Sequence, residues 1–238
     1  MFEYAIENRA VDFNPCRYVK IPKEAKTSER LALTPEERKW VEEMPHRAQL
    51  PAMLMMYSGL RKGEVTALLW SDIDFKNHTI TVSKSYDFKQ GRIKEPKTAS
   101  GVRVVSVPGK LIDFLKEQLK NSVLVVTSST GQRMNETAWK RLWESYMCDL
   151  NLTYGNHLHK RNKFDPSGNI MTIEPFTPHC LRHTFCTIMY ESGIDVLTAK
   201  EQMGHSDVKT TLSIYTHLDK VYKKKNISKL DEYLENYG

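Results

Sequence analysis

The apolar residues of this chain change period twice, and no other feature constrains its fold as much. Before Trp70 the spacing is helical: Leu50, Met53, Leu54, Met56 and Tyr57 suit a buried helix over residues 47–58, with Pro51 in its first turn and Gly59 as a left-handed stop. Thr34-Pro35-Glu36-Glu37 offers an N-cap threonine, a proline in the first helical position and a glutamate reaching back as a capping box, so a firm helix starts there. Another helix is expected from near Arg61. After Trp70 the pattern turns to period two: Ile80 and Val82 alternate with polar residues, then Val102-Arg103-Val104 and Val105-Ser106-Val107 do so across a long basic hairpin, with residues 124–126 a further short strand candidate. Helical spacing returns at Leu111, Phe114, Leu115 and Leu119, and again at Trp139, Leu142, Trp143 and Tyr146. The expected fold class is α+β, mostly helical, with a small antiparallel β-sheet at one edge.

The stretch from Asn151 to Phe176 is polar and reads as a loop. Three helices are expected after it, opened by Thr177-Pro178, Asp195 and Ser206 as N-caps. A basic tail helix carrying Ile227, Leu230 and Leu234 closes the chain. Residues 1–33 hold a short helical piece and a basic, proline-punctuated stretch in which Pro15 and Pro22 argue against continuous helix. The organisation expected is a linker over 1–33, a main domain over 34–219 and a tail helix over 220–238.

Composition narrows the class without deciding it. The 238 residues, 40% hydrophobic and 27% charged, suffice for a full-sized core. Lys and Arg exceed Asp and Glu by 35 to 29, a net charge of +6, which permits a phosphate-rich partner but is modest for a protein that only coats DNA. Cys16, Cys148, Cys180 and Cys186 form no CxxC pair, which fits a reducing cytosol. No signal peptide and no run of roughly eighteen apolar residues is present, so a soluble cytoplasmic protein without a membrane partner is expected.

Two segments carry chemistry. In Thr177-Pro178-His179-Cys180-Leu181-Arg182, His179 and Arg182 stand three apart on one face of a helix's first turns. The free N–H groups and positive dipole end of such a helix favour an anion, and a guanidinium beside an imidazole adds a forked donor and a titratable group suited to a phosphodiester. Downstream, in MGHSDVKTTLSIYTHL, Gly204 ends one helix, His205 sits in the turn, Ser206 caps the next segment and Tyr215 lies near that segment's end. Taken one at a time, each has a plainer reading. Arg61 is an ordinary helix-start arginine, Glu64 a dipole or ion-pair residue, Tyr215 half-buried packing, His205 a turn residue and Lys97 a solvated hairpin charge.

Their joint order is what is specific. GLRKGE at 59–64, then HCLRHTF, then GHS, then IY, over about residues 34 to 219, resembles the tyrosine recombinases of the phage-integrase family, and within them the integrases of conjugative transposons. The resemblance implies that Arg61 and Arg182 clamp a phosphate, with Glu64 buttressing Arg61. It implies that His179 is the histidine of the HxxR pair, that His205 touches the scissile phosphate and that Tyr215 is the nucleophile. The family's lysine sits on a hairpin between strands, and Lys97 fits, with Lys84 and Lys94 as rivals. It further implies double-stranded DNA as substrate, a homotetramer on paired sites, an excisionase or host DNA-bending protein as accessory, and residues 1–33 as linker and remnant of a helical core-binding domain. The tail over 220–238 would dock on a neighbouring protomer.

The chemistry explains the set. A phosphodiester is anionic with a poor alkoxide leaving group, so without a metal the enzyme must neutralise charge on the nonbridging oxygens and protonate the departing one. Two arginines and the histidines suit the first task and a lysine the second. A tyrosine, with an unperturbed pKa of about 10, needs help to lose its proton. The covalent 3′-phosphotyrosine implied by the resemblance conserves the bond energy, so neither ATP nor a metal or other cofactor is called for. Two other readings stand beside it: a type IB topoisomerase acting on one duplex, and a DNA-binding regulator that has lost catalysis. His183 is expected to pack or support, His157 and His159 to be loop residues and not metal ligands, and Lys220, Lys223, Lys224 and Lys225 to form a solvated face.

Overall fold

The computed structural model describes residues 2–14, 32–95, 102–118, 121–156, 171–205, 207–216 and 235. Two compact units are present, Met1–Arg30 and Leu31–Gly238. The first holds helix α1 (Phe2–Glu7).

In the second unit, α2 (Pro35–Glu43) starts as its sequence dictates: the Thr34 hydroxyl accepts from the Glu37 N–H at 3.3 Å and the Glu37 carboxylate accepts from the Thr34 N–H at 2.8 Å. Helix α3 (Gln49–Ser58) is buried from Pro51 through Met56, as a helix apolar on every side must be, and stops at Gly59 with φ 64°. A short α4 (Lys62–Ala67) follows, then a single 3-10 turn (Trp70–Asp72).

Among the described residues five short strands come next: β1 (Ile73–Asp74), β2 (Thr79–Val82), β3 (Ser85–Asp87), β4 (Arg92–Lys94) and β5 (Arg103–Ser106). They form two antiparallel sheets, β1-β2-β5 and the hairpin β3-β4, and β2 pairs with β5 so that Ile80 faces Val105 and Val82 faces Arg103. Residues 124–126 are not a strand. Leu124 makes one isolated bridge with Leu69, and Val125 donates to the Leu68 carbonyl at 3.1 Å.

The alternation along β5 has a different phase from its apolar pattern. Val102 and Val104 are 48% and 58% exposed, whereas Val105 and Val107 are buried. Side chains two apart share a face of a strand, so the inward set is Arg103, Val105 and Val107, and the outward valines are the misleading ones.

Helices α5 (Gly109–Lys116), α6 (Glu136–Tyr154), α7 (Pro178–Glu191) and α8 (Val196–Met203) complete the named elements, and residues 208–216 are helical. Thr177 and Asp195 are N-caps as expected; Ser206 lies outside the described residues. Helix α6 runs on to Tyr154, so Asn151 to Tyr154 are helix and not loop. Asn151 is fully buried, and its side-chain carbonyl accepts from the Thr172 N–H at 2.8 Å, the Thr172 hydroxyl at 2.9 Å and the Ile173 N–H at 3.2 Å. A polar side chain that reads as loop is an internal clamp.

The main core gathers Leu54, Met56, Leu60, Ile80, Leu111 and Tyr146 with their neighbours. A second, smaller cluster joins Phe185, Cys186, Met189, Ala199, Met203 and Tyr215. No helix among the described residues is long and apolar enough to cross a membrane.

Candidate active site

The GLRKGE segment folds for identifiable reasons. Gly59 takes the left-handed conformation in which a Cβ would lie 2.5 Å from Phe185, and at Gly63 a Cβ would lie 2.7 Å from the Tyr86 carbonyl, so only glycine lets α4 sit against β3. Arg61 is the N-cap of α4. Its N–H donates to one Glu64 oxygen at 2.8 Å and its guanidinium to the other at 2.9 Å. The expected buttressing of Arg61 by Glu64 is therefore a double contact.

Glu64 is only 7% exposed and holds a second guanidinium that sequence reasoning had not singled out. Arg103 donates to both carboxylate oxygens, at 3.0 and 2.8 Å, in the forked geometry that suits arginine to carboxylate. Burial pushes the Glu64 carboxyl up, but the Arg103 bonds and charge, followed by those of Arg61, outweigh it and hold the group below its ordinary value. The carboxylate is ionised at neutral pH.

Arg182, from the first turns of α7, is 3% exposed and donates to the carbonyls of Gly59 and Met203. Burial, and then the charge of Arg61, lower its pKa without depriving it of its proton at pH 7. Three consecutive carbonyls at the end of α8 thus each take a different arginine. Gln202 accepts from Arg103 at 3.3 Å, Met203 from Arg182, and Gly204 from Arg61 at 2.9 Å. The C-terminal end of a helix, with its unpaired carbonyls and partial negative charge, is a natural seat for cations. Three guanidiniums against one carboxylate leave a net positive cluster.

His205 follows directly. Its Nδ1 lies 2.9 Å from the hydroxyl of the buried Thr211, a partner that spacing had not suggested. Burial, then Arg182 and Arg61, lower the His205 pKa to about 4, so the ring is neutral at pH 7. His179 is exposed, and its ring meets that of His183 edge to face at 4.4 Å. His183 has a buried Nδ1 without a hydrogen bond and a pKa brought down to about 4 by burial, then by His179 and Arg182.

Arg61, Arg182 and His205 therefore come together around the end of α8, while Tyr215 sits in the smaller core. Tyr215 is 7% exposed, its hydroxyl donates to the Ile194 carbonyl at 3.1 Å, and its ring meets Tyr190 edge to face at 5.0 Å. Burial, then Cys186 and Asp195, raise its pKa above the ordinary phenol value. Lys97, His157, His159 and the basic run 220–225 lie outside the described residues. Lys84 lies 3.5 Å from Asp72, and Lys94 pairs with Asp87. Among the described residues no group of His, Cys, Asp and Glu side chains has the arrangement to hold a metal ion.

The sequence model of the phage integrase family matches residues 24–221. The chain belongs to the phage integrase family. This family member is 29% identical to a XerC-like tyrosine recombinase of Caldanaerobacter subterraneus subsp. tengcongensis, an alignment covering 97% of the chain and 63% of the relative. It is also 29% identical to the ICEBs1 integrase of Bacillus subtilis, over 98% of the chain and 63% of that protein. The chain thus spans 63% of the length of each of these two relatives. Among solved structures, the Tn1549 transposon integrase in complex with transposon right end DNA superposes with a TM-score of 0.68 at 22% identity, covering 97% of the chain and 75% of its own. The XerA recombinase superposes at 0.54 and 21% identity, covering 82% of the chain and 65% of its own. These likenesses show that the phage-integrase family member shares the fold of tyrosine recombinases.

Proposed function

We propose that this chain is the catalytic part of a site-specific DNA recombinase, an integrase that cleaves and rejoins strands through a 3′-phosphotyrosine on Tyr215. The observation that carries the reading is the cluster of Arg61, Arg103 and Arg182 around Glu64, with the neutral imidazole of His205 beside it. Such a cluster suits a phosphodiester whose nonbridging oxygens gain charge in the transition state.

In this mechanism Arg61 and Arg182 clamp the scissile phosphate. His179 and His205 contact it, and an imidazole takes the phenolic proton. The Tyr215 oxygen attacks phosphorus, the bond to the 5′ oxygen breaks, and Lys97 protonates the departing 5′ oxygen. A 5′-hydroxyl from a second strand then gives its proton to Lys97 and attacks the phosphotyrosine, the bond to Tyr215 breaks, and the phenol recovers its proton from the imidazole. No metal ion or nucleotide enters the balance.

We assign the catalytic domain to residues 34–219, a linker to 1–33 and a docking tail to 220–238. Double-stranded DNA is the substrate, held largely through phosphate contacts. A homotetramer on paired sites, helped by an excisionase or a DNA-bending protein, performs the exchange in the bacterial cytoplasm. Both the XerC-like protein and the ICEBs1 integrase are named for this class of reaction, which supports the reading.

The test is incubation in EDTA with a pool of nicked duplexes carrying a randomised core, followed by isolation of covalent adducts. Wild type should form a denaturant-resistant protein–DNA adduct and Tyr215→Phe should form none. An adduct that persists in Tyr215→Phe would sink the assignment of the nucleophile, and no adduct from wild type would sink the cleavage reading.

A further inference from the structure

We infer that Arg103 is a positioning residue for strand cleavage, fixing Arg61 through Glu64 and fixing the end of α8 through Gln202; this rests on the cleavage reading above. The Glu64 carboxylate has four acceptor directions, and two residues fill them. Oε1 accepts from the guanidiniums of Arg61 and Arg103, and Oε2 accepts from the Arg61 backbone N–H and the Arg103 guanidinium. Neither arginine can shift without disturbing the bonds of the other.

Exposure separates their tasks. The Arg61 side chain is 47% exposed, whereas those of Arg103 and Glu64 are 12% and 8% exposed. Of the two guanidiniums that hold Glu64, Arg61 is the more open one, and Arg103 stands behind it, bonded to both carboxylate oxygens. Arg103 is also the larger partner in keeping Glu64 ionised. Removing Arg103 would leave a buried carboxylate with one half-exposed cation, and the carboxylate would draw that cation out of its present position.

Arg103 also ties the sheet to α8. Its Nε donates to the Gln202 carbonyl at 3.3 Å, while three positions along, the Ser106 N–H donates to the Gln202 side chain at 2.9 Å. A Cβ at Gly204 would stand 2.9 Å from Cδ, Cζ and Nε of Arg103, so the turn that carries His205 is built around this side chain. Arg61 bonds the same turn through the Gly204 carbonyl. One buried fork therefore sets the separation between Arg61 and His205. A misplacement of about 1 Å in such an arrangement costs about 100-fold in rate.

The test uses the full chain and a duplex recovered from the adduct pool, nicked so that cleavage is trapped. Single-turnover adduct formation is measured for wild type, Arg103→Lys, Arg103→Gln, Glu64→Gln and the Arg103→Gln/Glu64→Gln double variant, with binding of the same duplex and thermal melting measured beside it. Arg103→Lys and Arg103→Gln should each slow cleavage about 100-fold while the Kd stays within about threefold, because lysine keeps the charge but cannot supply the fork. The double variant should be no slower than the slower single, since both changes break one linkage. Should Arg103→Gln melt early, Arg103→Lys carries the comparison. Arg103 variants that cleave like wild type, defects that multiply in the double variant, or a rate loss matched by lost DNA binding would each overturn the inference. Wild-type cleavage with unimpaired variants removes this inference alone, whereas no wild-type adduct removes the cleavage reading and this inference together.

Discussion

The Tyr215 hydroxyl donates to the Ile194 carbonyl at 3.1 Å, in the loop between α7 and α8. The ring packs among Phe185, Cys186, Met189, Ala199 and Met203. A phenol held this way is a hydrogen-bond donor to protein with a raised pKa, and on the proposed reading it leaves the Ile194 carbonyl before its oxygen attacks phosphorus.

Without DNA, Tyr215 should therefore resist O-acetylation by N-acetylimidazole while Tyr4, 72% exposed, reacts readily. Peptide mass spectrometry after brief labelling measures the ratio. Equal labelling of both tyrosines would contradict the packing described.

Gly59→Ala should be among the most damaging small substitutions. The positive φ costs about 1–2 kcal/mol for an L side chain, and the Cβ meets Phe185 at 2.5 Å and the Met203 sulfur at 2.9 Å, adding about 1–3 kcal/mol of overpacking. Urea unfolding should show a loss of about 2–5 kcal/mol, with weaker DNA binding because the Gly59 carbonyl that holds Arg182 is displaced.

Stability should also fall in mild acid. His205 and His183 have folded pKa values of about 4 against an ordinary 6.5, so between those values the unfolded chain binds the extra protons. Their contribution is intact above about pH 6.5 and is lost progressively as pH falls to about 4. In His205→Gln the slope of unfolding free energy between pH 6.5 and 4 should be shallower than in wild type. Parallel slopes would show that His205 takes up its proton equally in both states.

Asn151→Leu tests the clamp at the end of α6. The substitution keeps similar bulk but strips the acceptor from the Thr172 N–H, the Thr172 hydroxyl and the Ile173 N–H. Losing a part-buried network of this size should cost about 2–4 kcal/mol in urea unfolding. A loss below about 0.5 kcal/mol, the range of ordinary surface changes, would mean that water replaces the side chain.

Much of this molecule is legible in its sequence wherever a local rule decides the outcome. The Thr34 capping box, the Gly59 stop and the Asp195 cap depend on neighbours a few residues away, and they form as their spacing dictates. The expectation that Glu64 supports Arg61 is of the same kind, since three residues span one helical turn. What escaped was long-range. Arg103 meets Glu64 across thirty-nine positions, and only the phase of β5 could have flagged it, because sharing a face with Val105 and Val107 points it inward. The outward valines at 102 and 104 hid that phase. Thr211 beside His205 and Asn151 beneath Thr172 carried no signal at all, since an isolated Thr or Asn looks alike on a surface and in a buried network.

The α8 terminus behaves as a mooring post. Gln202, Met203 and Gly204 each hold one arginine line, and the chain then runs through His205 to the helix at 208–216 that bears Tyr215. On the proposed reading, swinging α8 to deliver the phenol would cast off all three lines at once and take apart the cationic harbour. The proposed chemistry is therefore best served by a displacement of the 208–216 helix that leaves the carbonyls of Gln202, Met203 and Gly204, and the arginines on them, where they are.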